Sequence, residues 1–276
     1  MKIKLIFVIL LLLLSSFLFA QQGELSLHFF GSASLPQGDF GKDITSSTTV
    51  SRSFGFDIGD KIGLAQTGFG AGAELMAPVW FDGLQWIISS RVLINGVNGE
   101  DVQSKFRSQF VADTVIYKYE GRVVDGVDIE LGNWINIPVM TGFRYDHHFS
   151  HKYTLYGIVQ AGMNIAKPPS RKATVGLVPL DENKEAITSE KETVVAEDTH
   201  FKFARDFGFE AGLGFVFNQK YNLGFRYLFL STPRFDGNRT LDVKTFPEIF
   251  KLENEIVGEE RSVSMFVVTF GIQLFQ

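Results

Sequence analysis

The stretch FGAGAELMAPVW, residues 69–80, alternates almost without error. Phe69, Ala71, Ala73, Leu75, Ala77 and Val79 share one face, and Gly70, Gly72, Glu74 and Met76 share the other. A period of two is the signature of a strand. A soluble half-buried strand seldom sets a bulky apolar row against glycines and a lone glutamate, so which row points inward decides what the chain can become.

The same alternation between turn signals marks eight strands, at 24–34, 64–80, 84–95, 132–146, 153–166, 201–217, 221–232 and 261–275. Three connections are short: FDG at 81–83, HHFSHK at 147–152 and NQK at 218–220. The other four each run about 28 to 36 residues, lengths a compact soluble domain rarely leaves without structure. Short and long connections in alternation are the rhythm of a transmembrane barrel with brief periplasmic turns and long external loops. The fold class expected is therefore all-β, an eight-stranded antiparallel up-and-down transmembrane barrel. The segment 110–132 reads as a hairpin turning at Glu120-Gly121. Asp125 on one of its faces and Arg122, Asp128 and Glu130 on the other keep it out of lipid, since charge near the midplane costs about 2–4 kcal/mol. The acidic stretch 181–198 reads as a solvated loop.

Volume settles the direction of the rows. An eight-stranded barrel has an interior only just wide enough for side chains to fill. Rows such as Phe207, Phe209, Leu213, Phe215 and Phe217 would overfill it, whereas Gly208, Glu210, Gly212 and Gly214 fit. The bulky rows then face acyl chains, and closure leaves no backbone group unpaired in hydrocarbon. Glu74, Arg91, Arg144, Glu210 and Arg226 fall inward on five strands and are expected to meet as a structural charge cluster that plugs the interior. Phe81, Trp86, Tyr145, Tyr153, Phe217 and Tyr221 flank the short turns with outward parity, where a periplasmic aromatic girdle belongs.

The first residues read as a secretory signal peptide over 1–20: Lys2 and Lys4, an apolar run from Leu5 to Leu14, and Ala20 at the cleavage site. Residues 21–276 form the barrel domain in this reading, and loss of the two lysines takes the formal charge from −5 to about −7. An acidic chain without a basic run argues against nucleic acid as a partner. There is no cysteine, so no disulfide holds an exported chain together. Phenylalanine occurs 28 times and glycine 27 times, which suits strands whose two faces differ in bulk.

Four strand patterns, NWINIPVMTGFRYD (133–146), YTLYGIVQAGMNIA (153–166), FGFEAGLGFVFNQKYNLGFRYLF (207–229) and VVTFGIQLFQ (267–276), together resemble the small outer-membrane β-barrel family of Bacteroidota, PorT-like members included. The resemblance spans most of the chain beyond residue 20 and implies an integral outer-membrane protein, with outer-membrane lipid and the barrel-insertion machinery as partners. Two features depart from the usual pattern. Gln276 follows Phe275 where a terminal aromatic is customary, and Pro138, lacking a ladder donor, is expected to make a bulge.

Little in the sequence carries catalysis. His147, His148 and His151 share a short turn with Asp146 but have no further ligand, so neither metal nor cofactor is expected. GFGAG at 68–72 lacks the spacing and helix of a dinucleotide fingerprint. DFG, at 39–41 and 206–208, has no other kinase element beside it. The residues point to a non-catalytic protein with a structural or loop-mediated surface-binding role. One alternative is an outer-membrane enzyme acting on lipid or peptide through His28 or His200; another is a small channel or secretion-accessory barrel.

Overall fold

A computed structural model describes residues 25–42, 63–79, 82–104, 122–183, 185–245 and 248–275. Both residues 1–20 and Phe81 lie outside them, as do Glu120-Gly121 and Gln276. Thirteen strands are described: β1 (Ser26–Pro36), β2 (Ala65–Pro78), β3 (Leu84–Val97), β4 (Arg122–Leu131), β5 (Trp134–Ser150), β6 (Tyr153–Lys167), β7 (Arg171–Pro179), β8 (Glu192–Phe201), β9 (Ala204–Phe217), β10 (Tyr221–Phe229), β11 (Arg234–Thr245), β12 (Glu248–Glu260) and β13 (Ser264–Phe275). Among the described residues no helix is long and apolar enough to cross a membrane, which says nothing of strands.

Eight of the strands close into an antiparallel barrel in the order β1, β2, β3, β5, β6, β9, β10, β13 and back to β1. Alternation supplies the reason. On β9, Phe207, Phe209, Leu213, Phe215 and Phe217 are exposed, while Gly208, Glu210, Gly214 and Val216 are buried. From Phe207 to Phe217 the outward row contains no charge, and at about 3.3 Å per residue with a tilt near 40° it stands about 25 Å tall. On β2, Phe69 and Ala71 are exposed, and Ala77, paired with Trp86 on β3, is buried.

The other five strands correct the reading of the long connections as loops. They form a second antiparallel sheet in the order β12, β11, β8, β7, β4. Each of them runs on from a barrel strand after two to four residues, and the sheet order repeats that of β13, β10, β9, β6 and β5 below it. One side of the barrel wall thus continues past the rim as an open sheet. The breaks carry Gly132, Pro168, Pro169 and Pro233, and proline cannot donate to a ladder. At Ser231 the backbone turns at φ +64°, pinned by hydrogen bonds from Leu230 N to Val263 O (2.8 Å) and from Val263 N to Ser231 O (2.9 Å). The second arm of segment 110–132 is β4, which pairs with β7 in this sheet; its first arm lies outside the described residues. The acidic stretch 181–198 likewise ends inside β8.

Burial on one face makes this sheet stable. Val127 and Ile129 of β4, Ala173 and Val175 of β7, and Val194 of β8 pack together beneath Leu64 and Val102. Pro138 makes no bulge. Ser90 pairs with Val139 and Leu93 with Asn136 in one unbroken register, and the two intervening pairs are simply missing. Losing one donor interrupts the ladder there without inserting a residue.

Glycine on the inward face is a matter of room. A Cβ on Gly214 would stand 2.3 Å from Tyr156 Cζ and 2.5 Å from Leu223 O. Tyr156 cannot swing away: its hydroxyl donates to Asn222 Oδ1 at 2.8 Å and the Arg144 guanidinium lies 3.8 Å from its ring centroid. Gly214→Ala is expected to destabilise the barrel by about 1–3 kcal/mol, the usual cost of overpacking, read as a lower denaturant midpoint for unfolding in detergent micelles.

Candidate functional site: the filled barrel interior

The inward residues of β3, taken from the short-turn end, are Gln85, Ile87, Ser89, Arg91, Leu93 and Asn95. Those of β10 are Asn222, Gly224, Arg226 and Leu228. Both strands place an arginine midway and an apolar side chain beyond it, and the whole interior is layered in this way.

The middle layer is ionic. Arg91 Nη2 donates to both carboxylate oxygens of Glu210, at 2.9 and 2.7 Å. Arg226 Nη1 donates to Glu210 Oε1 at 2.9 Å and also to Glu74 Oε1. Two guanidiniums and two carboxylates thus alternate in a chain, Arg91–Glu210–Arg226–Glu74, with Glu210 shared. All four are at most 2% exposed. Phe30, an inward phenylalanine on β1, lies under both guanidiniums, 5.2 Å from Arg91 Cζ and 5.6 Å from Arg226 Cζ. Beside them Ser89 Oγ donates to Gln160 Oε1 at 3.0 Å.

Arg144 stands apart from this cluster. Its Nε donates to Asp146 Oδ1 at 2.6 Å, two residues along the same strand, and Gln85 Nε2 donates to Asp146 Oδ2 at 2.9 Å. The structure therefore brings four of the five inward charges together and gives the fifth its own carboxylate. Sequence reading placed Asp146 with the turn histidines; the alternation that turns Arg144 inward also turns Asp146 inward, which was the available signal.

Apolar layers close both sides. Toward the short turns Met76, Ile87, Tyr156, Ile158 and Val216 pack together. Toward the long connections the larger cluster contains Leu93, Met140, Leu228, Met265 and Val267. Phe40 and Trp134 meet edge to face there at 5.2 Å, and Trp134 meets Phe235 at 5.6 Å. Trp134 Nε1 donates to Gly63 O at 2.7 Å, tying residues of the first long connection into the mouth. This corrects the expectation of a lumen lined by glycines and a few polar residues. The glycines leave space, and apolar side chains from other strands occupy it.

Around the outside, Tyr145, Tyr153, Phe217 and Tyr221 are exposed at the short-turn rim and Trp86 is half-buried; Tyr153 and Phe217, paired across β6 and β9, pack edge to face at 6.0 Å.

The remaining candidates do not converge. His28 is buried on β1 against Asn222. His200 is exposed on β8 in the outer sheet, 3.0 Å from Asp198. His148 Nδ1 lies 2.8 Å from Thr154 Oγ1, and Asp146 turns away from it into the barrel. Among the described residues no group of three or more metal-ligating side chains is close enough to hold an ion.

No protein-family model matches the chain, and no curated protein matches it. Among solved structures the chain is similar to neisserial surface protein A, at 10% identity over 91% of this chain and 96% of that one, with a TM-score of 0.34. It is similar to Ail, the attachment invasion locus protein of Yersinia pestis, at 11% identity over 92% and 100%, with a TM-score of 0.35. It is also similar to the outer membrane protein OprG from Pseudomonas aeruginosa, at 11% identity over 91% and 95%, with a TM-score of 0.39.

Proposed function

We propose that this chain is an integral outer-membrane barrel protein that is non-catalytic, is sealed to solutes, and acts at the cell surface through the sheet and connections above its rim. The observation that carries this reading is the pairing of a charge-free outward belt with a filled interior. A belt of that height on a closed barrel is suited to lipid, and guanidiniums at 2% exposure between two apolar layers support a sealed interior. The strand patterns shared with the small barrels of Bacteroidota, PorT-like members included, support the same placement, with barrel-insertion machinery as the partner in assembly.

Because the chain has no cysteine, single introduced thiols report topology directly. Ser189→Cys, exposed between β7 and β8, is expected to react with a membrane-impermeant maleimide on intact cells; His151→Cys, in the β5–β6 turn, is expected to react only once the envelope is opened. The reverse pattern would refute the orientation. In planar bilayers the purified protein is expected to show no stable open conductance, and a steady nanosiemens-scale channel would refute the seal.

A further inference from the structure

The outward face is not uniformly bulky. Leu84, Tyr145, Gly157 and Leu213 form one row across β3, β5, β6 and β9. The next row toward the external end includes Phe143, Val159 and Ala211. Gly157 and Ala211 stand diagonally across the two rows, opposite Leu213 and Val159, and neither carries bulk. The result is an apolar groove of about 610 Å³ on the belt, walled by Tyr145 and Phe143 on one side and Leu213 on the other.

One histidine and two lysines lie beyond the short-turn end of this groove. His147 is exposed on the same face of β5 as Tyr145, two residues nearer the turn. The β5–β6 and β9–β10 turns are tied together by a hydrogen bond from Asn218 N to Lys152 O at 2.7 Å. That bond sets Lys152 beside the turn that carries Lys220, and both lysines are exposed. The acids nearby are Asp82, on the β2–β3 turn, and Asp146, which is buried and taken by Arg144. Leu155 pairs with Phe215, and Tyr153 with Phe217, between the groove and that rim, so an apolar track leads from the groove to the lysines, the form of one amphiphile, a lipid chain ending in an anionic head group.

We propose that this groove is a binding site for an anionic phospholipid of the periplasmic leaflet, its acyl chain lying over Gly157 and Ala211 and its phosphate facing Lys152, Lys220 and His147. The inference rests on the outer-membrane reading above. Cations close to a membrane surface act mainly through the charge of the head group, so the lysines set preference among lipids while the groove sets retention of a chain.

The test uses the full chain folded into vesicles of phosphatidylethanolamine with phosphatidylglycerol, extracted in mild detergent and weighed by native mass spectrometry. The folded protein is expected to retain one phosphatidylglycerol in preference to phosphatidylethanolamine. Lys152→Gln is expected to lower that preference about fivefold, and the double variant with Lys220→Gln on the order of twentyfold. Gly157→Leu fills the groove and is expected to abolish retention of both lipids. A Cβ at 157 would meet Leu213 Cδ2 at an ordinary 3.7 Å, and a heat-modifiable folded form on a gel checks that this variant folds. Folded protein that retains no lipid, or retains the two equally, overturns the proposal, as does a preference unmoved by the lysine variants or a retention unmoved by Gly157→Leu. Failure to enter vesicles at all, seen as the absence of a heat-modifiable folded form on a gel, would instead strike the membrane reading beneath it.

Discussion

Glu210→Gln is expected to cost the barrel about 3–5 kcal/mol, the range for removing one partner of a buried ion pair. Glu210 accepts from both Arg91 and Arg226, so the neutral amide leaves two buried guanidiniums with Glu74 as the one carboxylate in the chain of contacts. Water cannot make good the loss at sites 2% exposed or less. The double variant Arg91→Met/Glu210→Gln restores a one-to-one pair of Arg226 with Glu74 and is expected to be much less damaged than the two single losses added together. Urea unfolding midpoints of the four proteins in one detergent would read the cycle. A Glu210→Gln protein within 1 kcal/mol of the parent, or two strictly additive losses, would mean that the cluster contributes nothing as a unit.

Leu213→Arg is expected to cost about 2–4 kcal/mol for folding into phospholipid vesicles, whereas Phe203→Arg costs about 0–1 kcal/mol. Both side chains are more than half exposed, at 62% and 53%, so solvent accessibility alone predicts equal effects. They differ in height. Leu213 lies in the middle of the outward row of β9, and Phe203 lies in the break between β8 and β9, with Lys167 Nζ 5.7 Å from its ring. A guanidinium at position 213 would stand in hydrocarbon, while one at 203 would stand at the surface beside a lysine already tolerated there. Equal and small effects on folding into vesicles would show that the belt does not face lipid.

The barrel strands were legible because each obeys a rule local to itself. β3, β6 and β10 begin at Leu84, Tyr153 and Tyr221, where the turns FDG, HHFSHK and NQK place them. Period-two alternation and turn chemistry need no knowledge of the rest of the chain. The outer sheet was not legible for the opposite reason. β7, β8, β11 and β12 carry charges such as Arg171, Glu197 and Arg239 along their length, which rules them out of lipid and makes them look like solvated connections. Their partners lie above neighbouring barrel strands. Arg171 Nη2 reaches Glu197 Oε1 at 2.9 Å, and Arg239 Nη2 reaches Glu255 Oε2 at 2.5 Å, pairs that exist only once each connection folds back on itself as a hairpin; β8 then pairs with β11 to join the two hairpins.

The candidate site divides in the same way. That Glu74, Arg91, Glu210 and Arg226 turn inward follows from parity, and so does the inward turn of Asp146. Which of them meet does not. Arg91 and Glu210 are 119 residues apart and Arg226 and Glu74 are 152 apart, and closure at a particular register brings them level while leaving Arg144 below with Asp146. The aromatic cap of Phe40, Trp134 and Phe235 likewise joins three distant segments.

By itself the order of residues determined the barrel strands, their short turns and the face each of their side chains takes, because alternation is a property of a single extended chain. Tertiary structure alone decided the heights at which inward groups coincide, the layering of ions between apolar side chains, and the growth of one wall into a second sheet. Those depend on the stagger of strands around a closed circuit, a quantity no single strand contains.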